Sequence, residues 1–434
     1  MTFEEAMTYL YNRLPVFHNI GHRAYKPGLD TTRAFCSYLG NPQDRYETIH
    51  VAGTNGKGSI SNMLAAILQH SGYKTGLYTS PHLKSFTERI RVNGFPADED
   101  FVASFVSEHK AFIEKINPSF FEVTVAMAFE YFASAKVDIA VIEVGLGGRL
   151  DSTNIITPRL SVITNIGLDH TRQLGETLPL IAGEKAGIIK PGIPVVISER
   201  QSDEITAVFE GVARDKNAPL YFGSDYRSIS DESIENGVLN LLIEEINDER
   251  KSNIVSFSLD LAGSYQKKNL LGVLAAVDRL NESGWKVSSD DIGKGLSSVT
   301  TTTGFKGRWT RLGEKPFIVA DTAHNLPGFT EALSQFMSVP ARRMHFVLGF
   351  VGDKDIGSML RLLPPDAGYY FCAPSNNRAL PAFSLREQAE NIGLKGEAFP
   401  GVNEALKHAV SDAGPDDSIY VGGSTFVVAD LDML

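Results

Sequence analysis

The chain has 434 residues, which at ~100–200 residues per domain suggests two or three domains. Hydrophobic residues make up 43% and charged residues 21%, as in an ordinary globular protein, and the formal charge of −11 disfavours a phosphate backbone as partner. Cys36 and Cys372 are too few for a disulfide framework and fit a reducing, cytoplasmic setting; no apolar run approaches the ~20 residues that span a bilayer, and the acidic start MTFEEAMTYL lacks the pattern of an export signal. A secreted scaffold, a membrane protein, a fibrous protein and a disordered tail are excluded, and nucleic acid is not an expected partner.

In chain order, Thr48–Ala52 reads as a buried strand, a glycine-rich turn follows, and Ile60–Gln69 reads as a helix. Lys74–Thr79, Val137–Val144, Leu160–Ile166 and Pro194–Ser198 are further apolar runs of strand length. Continuous rather than alternating apolarity fits strands covered on both faces of a parallel sheet. From Tyr226 to Asp260 the rhythm changes to polar segments with short alternating patches, which predicts an antiparallel excursion. Thr300–Gly304 carries neither helical nor strand periodicity and separates this series from a second one: Phe317–Ala320, His345–Leu348, Tyr369–Ala373 and Ser418–Val421. The expected fold is α/β in two parts. Residues 1–302 form an N-terminal phosphate-loop ATPase-like domain with a mostly parallel sheet, and residues 303–434 a smaller Rossmann-like α/β domain.

The first chemical signal is Gly53-Thr54-Asn55-Gly56-Lys57-Gly58-Ser59, between a strand and a helix. Small residues let backbone N–H groups approach phosphates, the helix N-terminus adds partial positive charge, and Lys57 adds a full one. The segment departs from G-x-x-x-x-G-K-[ST]: Val51 stands five before Gly56, and Gly58 separates Lys57 from Ser59. Thr54 to Ser59 are expected to cradle the phosphates, with Lys57 on the β- and γ-phosphates and the Ser59 hydroxyl toward a magnesium ion. A second glycine cluster, Gly145-Leu146-Gly147-Gly148, places Leu150 where a dinucleotide fingerprint needs glycine, so a nicotinamide or flavin site is rejected. Glu143 and His170 each stand at the end of an apolar run, where α/β sheets bind ligands.

Beyond this loop an ordered series runs along nearly the whole chain: HVAGTNGKGS (50–59), TSPHL (79–83) with ERI (88–90), EVGLGGRLDSTN (143–154), LDHTRQLGETLPLIAGEKAGIIKPG (168–192), Gln266 to Asn269, GR (307–308), DTAHN (321–325) and DKD (353–355). With these segments the chain resembles the folylpolyglutamate synthase/dihydrofolate synthase family of the Mur ligase superfamily. The resemblance implies a Mur ligase central-domain fold and ATP-dependent joining of L-glutamate to dihydropteroate or to the γ-carboxylate of a reduced folate, through an acyl phosphate. It also implies Mg2+, with two ions expected.

The resemblance assigns residues as well. Ser80, Glu143 and His170 become magnesium ligands, Glu143 the better founded because magnesium prefers oxygen. Lys185 is implied to be carbamylated, which would turn a cation with three donors and no acceptor into an anionic oxygen ligand. Asn269 matches an adenine contact, Arg308 a triphosphate contact and Asp321 a nucleotide contact from the second domain. His324 and Asn325 are placed at the acyl-phosphate or glutamate end, with Ser424 a further candidate for the incoming glutamate. Lys57, Lys185, His324 and Asp321 form the expected catalytic set. Tyr25, Lys26 and Pro27, Ser119 to Glu122 (with Phe120 and Phe121 suited to stack on a flat heterocycle), and Leu150, Asp151 and Ser152 are implied to line the pterin pocket.

Two positions depart from the family's commonest wording: DTAHN replaces DGAHN, and Thr310 stands near where a glutamate usually follows GR. A cell-wall Mur ligase is the nearest alternative, but such enzymes carry an extra N-terminal domain, for which a phosphate loop beginning at Gly53 leaves no room. A non-catalytic nucleotide switch would need neither Glu143, Lys185 nor the second-domain set, and an enzyme with folylpolyglutamate synthase activity alone is a third possibility. A monomer is expected, since one chain carries the whole set.

Overall fold

The computed structural model describes residues 1–15, 28–246, 253–352 and 354–434. Tyr25, Lys26 and Pro27 lie outside the described residues, as does Asp353.

The first lobe is built on an eight-stranded sheet. Its strands are β1 (Glu47–Ala52), β2 (Thr75–Tyr78), β3 (Ile90–Val92), β4 (Phe95–Pro96), β5 (Ile139–Glu143), β6 (Leu160–Ile163), β7 (Val195–Ile197) and β8 (Leu220–Phe222), in the order β4-β3-β2-β5-β1-β6-β7-β8. Pairing is parallel from β2 to β8 and antiparallel only at the β2–β3 and β3–β4 edge. The central strands are buried on both faces, which is why their sequences read as unbroken apolar runs. On one face, helices Lys57–His70 and Gln266–Glu282 pack around Ile49, Val51 and Val141; on the other, Phe120–Ala135 packs around Tyr78, Ala140 and Ile142. β1 sits where the strand order reverses, with β5 on one side and β6 on the other. The loops after β1, β2, β5 and β6 therefore open at one crevice, where doubly wound sheets bind ligands.

The polar stretch after Tyr226 forms β9 (Arg227–Glu235), β10 (Val238–Glu245) and β11 (Ile254–Leu259), a separate antiparallel sheet whose inner face (Leu239, Leu241, Ile243) joins the core of the first lobe. The second lobe carries β12 (Thr310–Glu314), β13 (Phe317–Ala320), β14 (Met344–Leu348), β15 (Gly368–Cys372), β16 (Gly396–Phe399) and β17 (Ser418–Gly422), in the order β12-β13-β17-β14-β15-β16, parallel except for β12.

One expectation is corrected. The threonine run is a short helix, Val299–Thr303, not an irregular linker. β-Branched threonines form helix poorly, but the Asp260 carboxylate holds this turn from a distance. It accepts the Val299 N–H at 3.1 Å, the Thr300 N–H at 2.7 Å and the Thr300 hydroxyl at 2.5 Å. Among the described residues no helix is long and apolar enough to cross a membrane.

Candidate active site

Between the lobes lies a cavity of about 600 Å³, within the ~300–1,000 Å³ of small-molecule sites. It is lined from the first lobe by the loop 53–59, Ser80, Glu143, Asp169, His170, Lys185 and Asn269, and from the second by Arg308, Asp321 and His324.

The phosphate loop is shaped by two glycines. A Cβ on Gly53 would lie 1.8 Å from Thr164 Oγ1, and one on Gly56 would lie 2.3 Å from Asn269 Oδ1. Gly56, at φ +86°, is the N-cap of the helix that Lys57 opens. Lys57 Nζ donates to the Gly53 and Thr54 carbonyls, each at 3.0 Å. Thr54 pairs with the Gly167 backbone, and the Asn55 N–H donates to Asn165 Oδ1 at 2.9 Å, so the loop after β6 fixes the one after β1. Behind it, the buried Ser59 hydroxyl accepts from Gln266 Nε2 at 3.0 Å, and Gln266 Oε1 accepts from Asn269 Nδ2 at 2.7 Å. Asn269 thus stands against the loop.

Glu143 ends β5, where its Oε2 accepts the Ser80 N–H at 3.0 Å. Burial pushes its carboxyl up to about 7 against the pull of Lys57, the Ser80 N–H, Arg308 and Arg89. Lys185 is 4% exposed, and its Nζ donates to the Gly53 carbonyl at 2.9 Å. Two ammonium groups, Lys57 and Lys185, therefore share one carbonyl. Burial first and Lys57 second lower Lys185 to about 7, so that part of it is the neutral, nucleophilic amine near physiological pH. His170 adopts a left-handed backbone (φ +49°) and is held neutral, burial lowering it to about 3.

The lobes are fastened by amides and ion pairs, Lys268 with Glu331 at 3.3 Å among them. Asn55 and Asn325 exchange hydrogen bonds at 3.1 and 2.9 Å, and Asn325 Nδ2 also donates to Asp169 Oδ2 at 2.9 Å. Lys354 Nζ meets Asp169 Oδ1 at 2.5 Å. Burial would raise Asp169, but His170, Lys354 and His324 hold it well below the usual carboxylate range. Asp321 is engaged by Tyr265 OH at 2.6 Å, Trp309 N–H at 2.8 Å and Ala323 N–H at 2.8 Å, which couples the start of helix Gln266–Glu282 to the second lobe. His324 Nδ1 stands 3.0 Å from the Thr322 carbonyl, which only accepts, so Nδ1 carries the proton and Nε2 bears the lone pair. Burial lowers this imidazole to about 4.

Other expected contacts take different places. Ser119 and Glu122 form a reciprocal cap at the start of helix Phe120–Ala135, with the Ser119 N–H 2.6 Å from Glu122 Oε2. Phe120 is buried against Tyr11, Phe86 and Arg89. Phe121 is half-buried and meets Gly145 at the cavity wall, since a Cβ there would lie 2.3 Å from its ring. Asp151 accepts the Leu146 N–H at 2.8 Å and the Thr153 hydroxyl at 2.5 Å, pinning the loop 145–151; Leu150 is half-buried and Ser152 buried in the following turn. Asn325 caps helix Leu326–Ser338, and Ser424 caps Thr425–Ala429. Sequence reasoning missed Asp169, Lys354 and Tyr265, because their pairings join segments far apart in the chain. It also left unread the capping box of Ser119 and Glu122, although S-x-x-E before an apolar run is its signal.

The Mur ligase middle domain model matches residues 51–277, and the Mur ligase, glutamate ligase domain model matches residues 307–425. The chain is similar to the folylpolyglutamate synthase of Lacticaseibacillus casei, at 34% identity over 404 residues (90% of each protein). It is similar to the dihydrofolate synthase/folylpolyglutamate synthase of Bacillus subtilis, at 32% over 441 residues (99% of this chain, 98% of the other). This chain is a member of the folylpolyglutamate synthase/dihydrofolate synthase family. The structure of E. coli FolC in complex with DHPP and ADP has the same fold, with a TM-score of 0.84 at 30% identity, over 99% of this chain and 96% of that one. The family's two domain models flank the helix Val299–Thr303, and the cavity lies where the regions they match face each other.

Proposed function

We infer that the chain is an ATP-dependent ligase that joins the amino group of L-glutamate to a pteroate or folate carboxylate. One observation carries the reading: a phosphate loop with Lys57, a buried acid at Glu143 and the second-lobe set Arg308, Asp321 and His324 line a single cavity. The relatives named for these two synthase activities, and the relative bound to ADP and DHPP, support it.

A carboxylate is a poor electrophile at neutral pH. Its oxygen attacks the γ-phosphorus of ATP, ADP leaves, and an acyl phosphate results. The glutamate ammonium gives up a proton, the free amine attacks the acyl carbon, a second proton leaves the nitrogen, and phosphate departs. Negative charge concentrates at each step, so this chain's work is positioning and cationic stabilisation. Lys57 and Arg308 sit to neutralise the phosphates from opposite lobes. The bare Nε2 of His324 can accept a hydrogen bond from the glutamate ammonium. The clamp of Asn55, Asn325, Asp169 and Lys354 holds the lobes together and keeps water out.

Glu143, Ser80 and His170 would hold Mg2+, joined by Lys185 once carbamylated. Glu143 suits such an ion: burial raises its carboxyl to about 7, and an adjacent cation would ionise it. Bound there, Mg2+ supplies charge neutralisation for the phosphates. We place the functional boundary at residues 302/303 and propose a cytoplasmic monomer. The test is purified protein with ATP, magnesium and L-glutamate, offered first dihydropteroate and then tetrahydrofolate. A glutamyl product with ADP is expected from at least one; product from neither would refute the substrate reading.

A further inference from the structure

The cavity holds one guanidinium that the reaction above does not use. Arg91 lies on β3 between Ile90 and Val92. Side chains alternate across a strand. Ile90 and Val92 pack into the core around helix Phe120–Ala135, so Arg91 projects from the opposite face. There it meets the end of helix Val299–Thr303: a Cβ on Gly304 would stand 3.5 Å from Arg91 Nη2. Arg91 is 7% exposed and lines the cavity beside Thr87, Glu88, Pro96, Gly304 and Phe305. Its Nε is buried without a hydrogen-bond partner, and none of its nitrogens makes a hydrogen bond or ion pair among the described residues.

The cavity's other lysines and arginine are engaged. Lys57 and Lys185 bond the phosphate-loop carbonyls, Lys84 donates to the Leu431 carbonyl and Lys306 to the Leu434 carbonyl, each at 2.5 Å, and Lys268 pairs with Glu331. Arg308 donates to the Gly307 carbonyl and lies over the Phe305 ring. Glu88, the carboxylate that acts on Arg91, spends its oxygens on the backbone N–H groups of Leu83, Lys84 and Ser85. A buried guanidinium whose hydrogens meet no acceptor is unfavourable even with a carboxylate nearby, so a ligand is expected to supply a hydrogen-bonded counter-ion. Phe305 packs its ring against Gly58 while its neighbour Gly304 meets Arg91, which sets Arg91 beside the phosphate loop rather than in it. The planar fork of a guanidinium matches a carboxylate. A folate acceptor carries an α-carboxylate a few bonds from its reacting γ-carboxylate; dihydropteroate carries none.

We propose that Arg91 binds the α-carboxylate of the acceptor's terminal glutamyl residue, and so selects for chain extension rather than for the first addition of glutamate. This rests on the ligase reading above. The test compares KM values for tetrahydrofolate, its α-monoamide, dihydropteroate, L-glutamate and ATP in the wild type, Arg91→Met and Arg91→Lys. Arg91→Met is expected to raise the tetrahydrofolate KM about tenfold, the low end for losing a charge-assisted hydrogen bond. Arg91→Lys should raise it less, and the other three substrates should keep their KM values. In the wild type the α-monoamide should show the same rise as the methionine variant shows with tetrahydrofolate, with no further rise when both changes are combined. If Arg91→Met does not fold, the wild-type comparison of tetrahydrofolate with its α-monoamide decides. Equal KM values for that pair, a rise confined to L-glutamate or ATP, an equal rise for dihydropteroate, or turnover of dihydropteroate alone would overturn the proposal. Turnover of neither acceptor would instead overturn the ligase reading.

Discussion

The ion pair between Asp169 and Lys354 is the sharpest place to test how the lobes are coupled. Their side chains are 10% and 13% exposed, and their charged atoms stand 2.5 Å apart, so solvent screens them little. Removing one partner of such a pair leaves an uncompensated buried charge, at a cost of about 3–5 kcal/mol. Asp169→Asn keeps an oxygen that can still accept from Asn325 Nδ2, so the lower end, about 3 kcal/mol, applies. Lys354→Met should cost a similar amount. The double variant should lose about 2 kcal/mol less than the two singles added together, because the second change removes a charge already stranded. Urea unfolding can resolve this by lobe. Trp285 packs on the core of the first lobe and Trp309 in that of the second, so Trp285→Phe and Trp309→Phe backgrounds report the lobes separately. The second lobe should unfold earlier in both singles, and the ATP KM should rise with it. A coupling below about 0.5 kcal/mol, within the scatter of independent sites, would refute the clamp.

Three further outcomes follow from local geometry. Gly56→Ala forces a side chain into a left-handed backbone, at about 1–2 kcal/mol, and drives its Cβ against Asn269 Oδ1; the ATP KM should rise more than about tenfold, and an unchanged value would show that the loop does not carry the phosphates. Ser119→Ala should cost about 1 kcal/mol of stability in thermal unfolding while leaving acceptor KM unchanged, since the hydroxyl caps a helix; a KM change without a stability loss would instead put the hydroxyl on the substrate. Lys185 is depressed from 10.5 to about 7, so the folded chain binds fewer protons than the unfolded one between those values. The destabilisation is full below about 7 and is relieved as pH rises toward 10.5. The urea midpoint should therefore climb with pH in the wild type, under CO2-free buffer, more than in Lys185→Met, and parallel profiles would contradict the depressed value.

Much of this was legible in the sequence where the cause is local. β1, β5, β6 and β7 read as strands because burial on both faces leaves unbroken apolar runs. The phosphate loop was readable because its glycines, lysine and hydroxyl fall within a few residues. β16 was not, since GEAF is short and mixed, with only Phe399 buried. The helix Val299–Thr303 was hidden because its cap, Asp260, lies far upstream. The same limit applies to the site. Arg91 reads as an ordinary strand residue until Gly304 is brought against it, and Asp169 gains its meaning only from Lys354 and Asn325 across the lobes. Residues whose work is a contact between distant segments leave no local trace.

The most direct measurement follows one oxygen atom. An acceptor whose reacting carboxylate carries 18O at both oxygens is turned over with ATP and L-glutamate, and the released phosphate is analysed by mass spectrometry. Activation by phosphoryl transfer in the shared cavity predicts one labelled oxygen in each phosphate, with ADP as the other product. Unlabelled phosphate, or release of AMP and pyrophosphate, would contradict it.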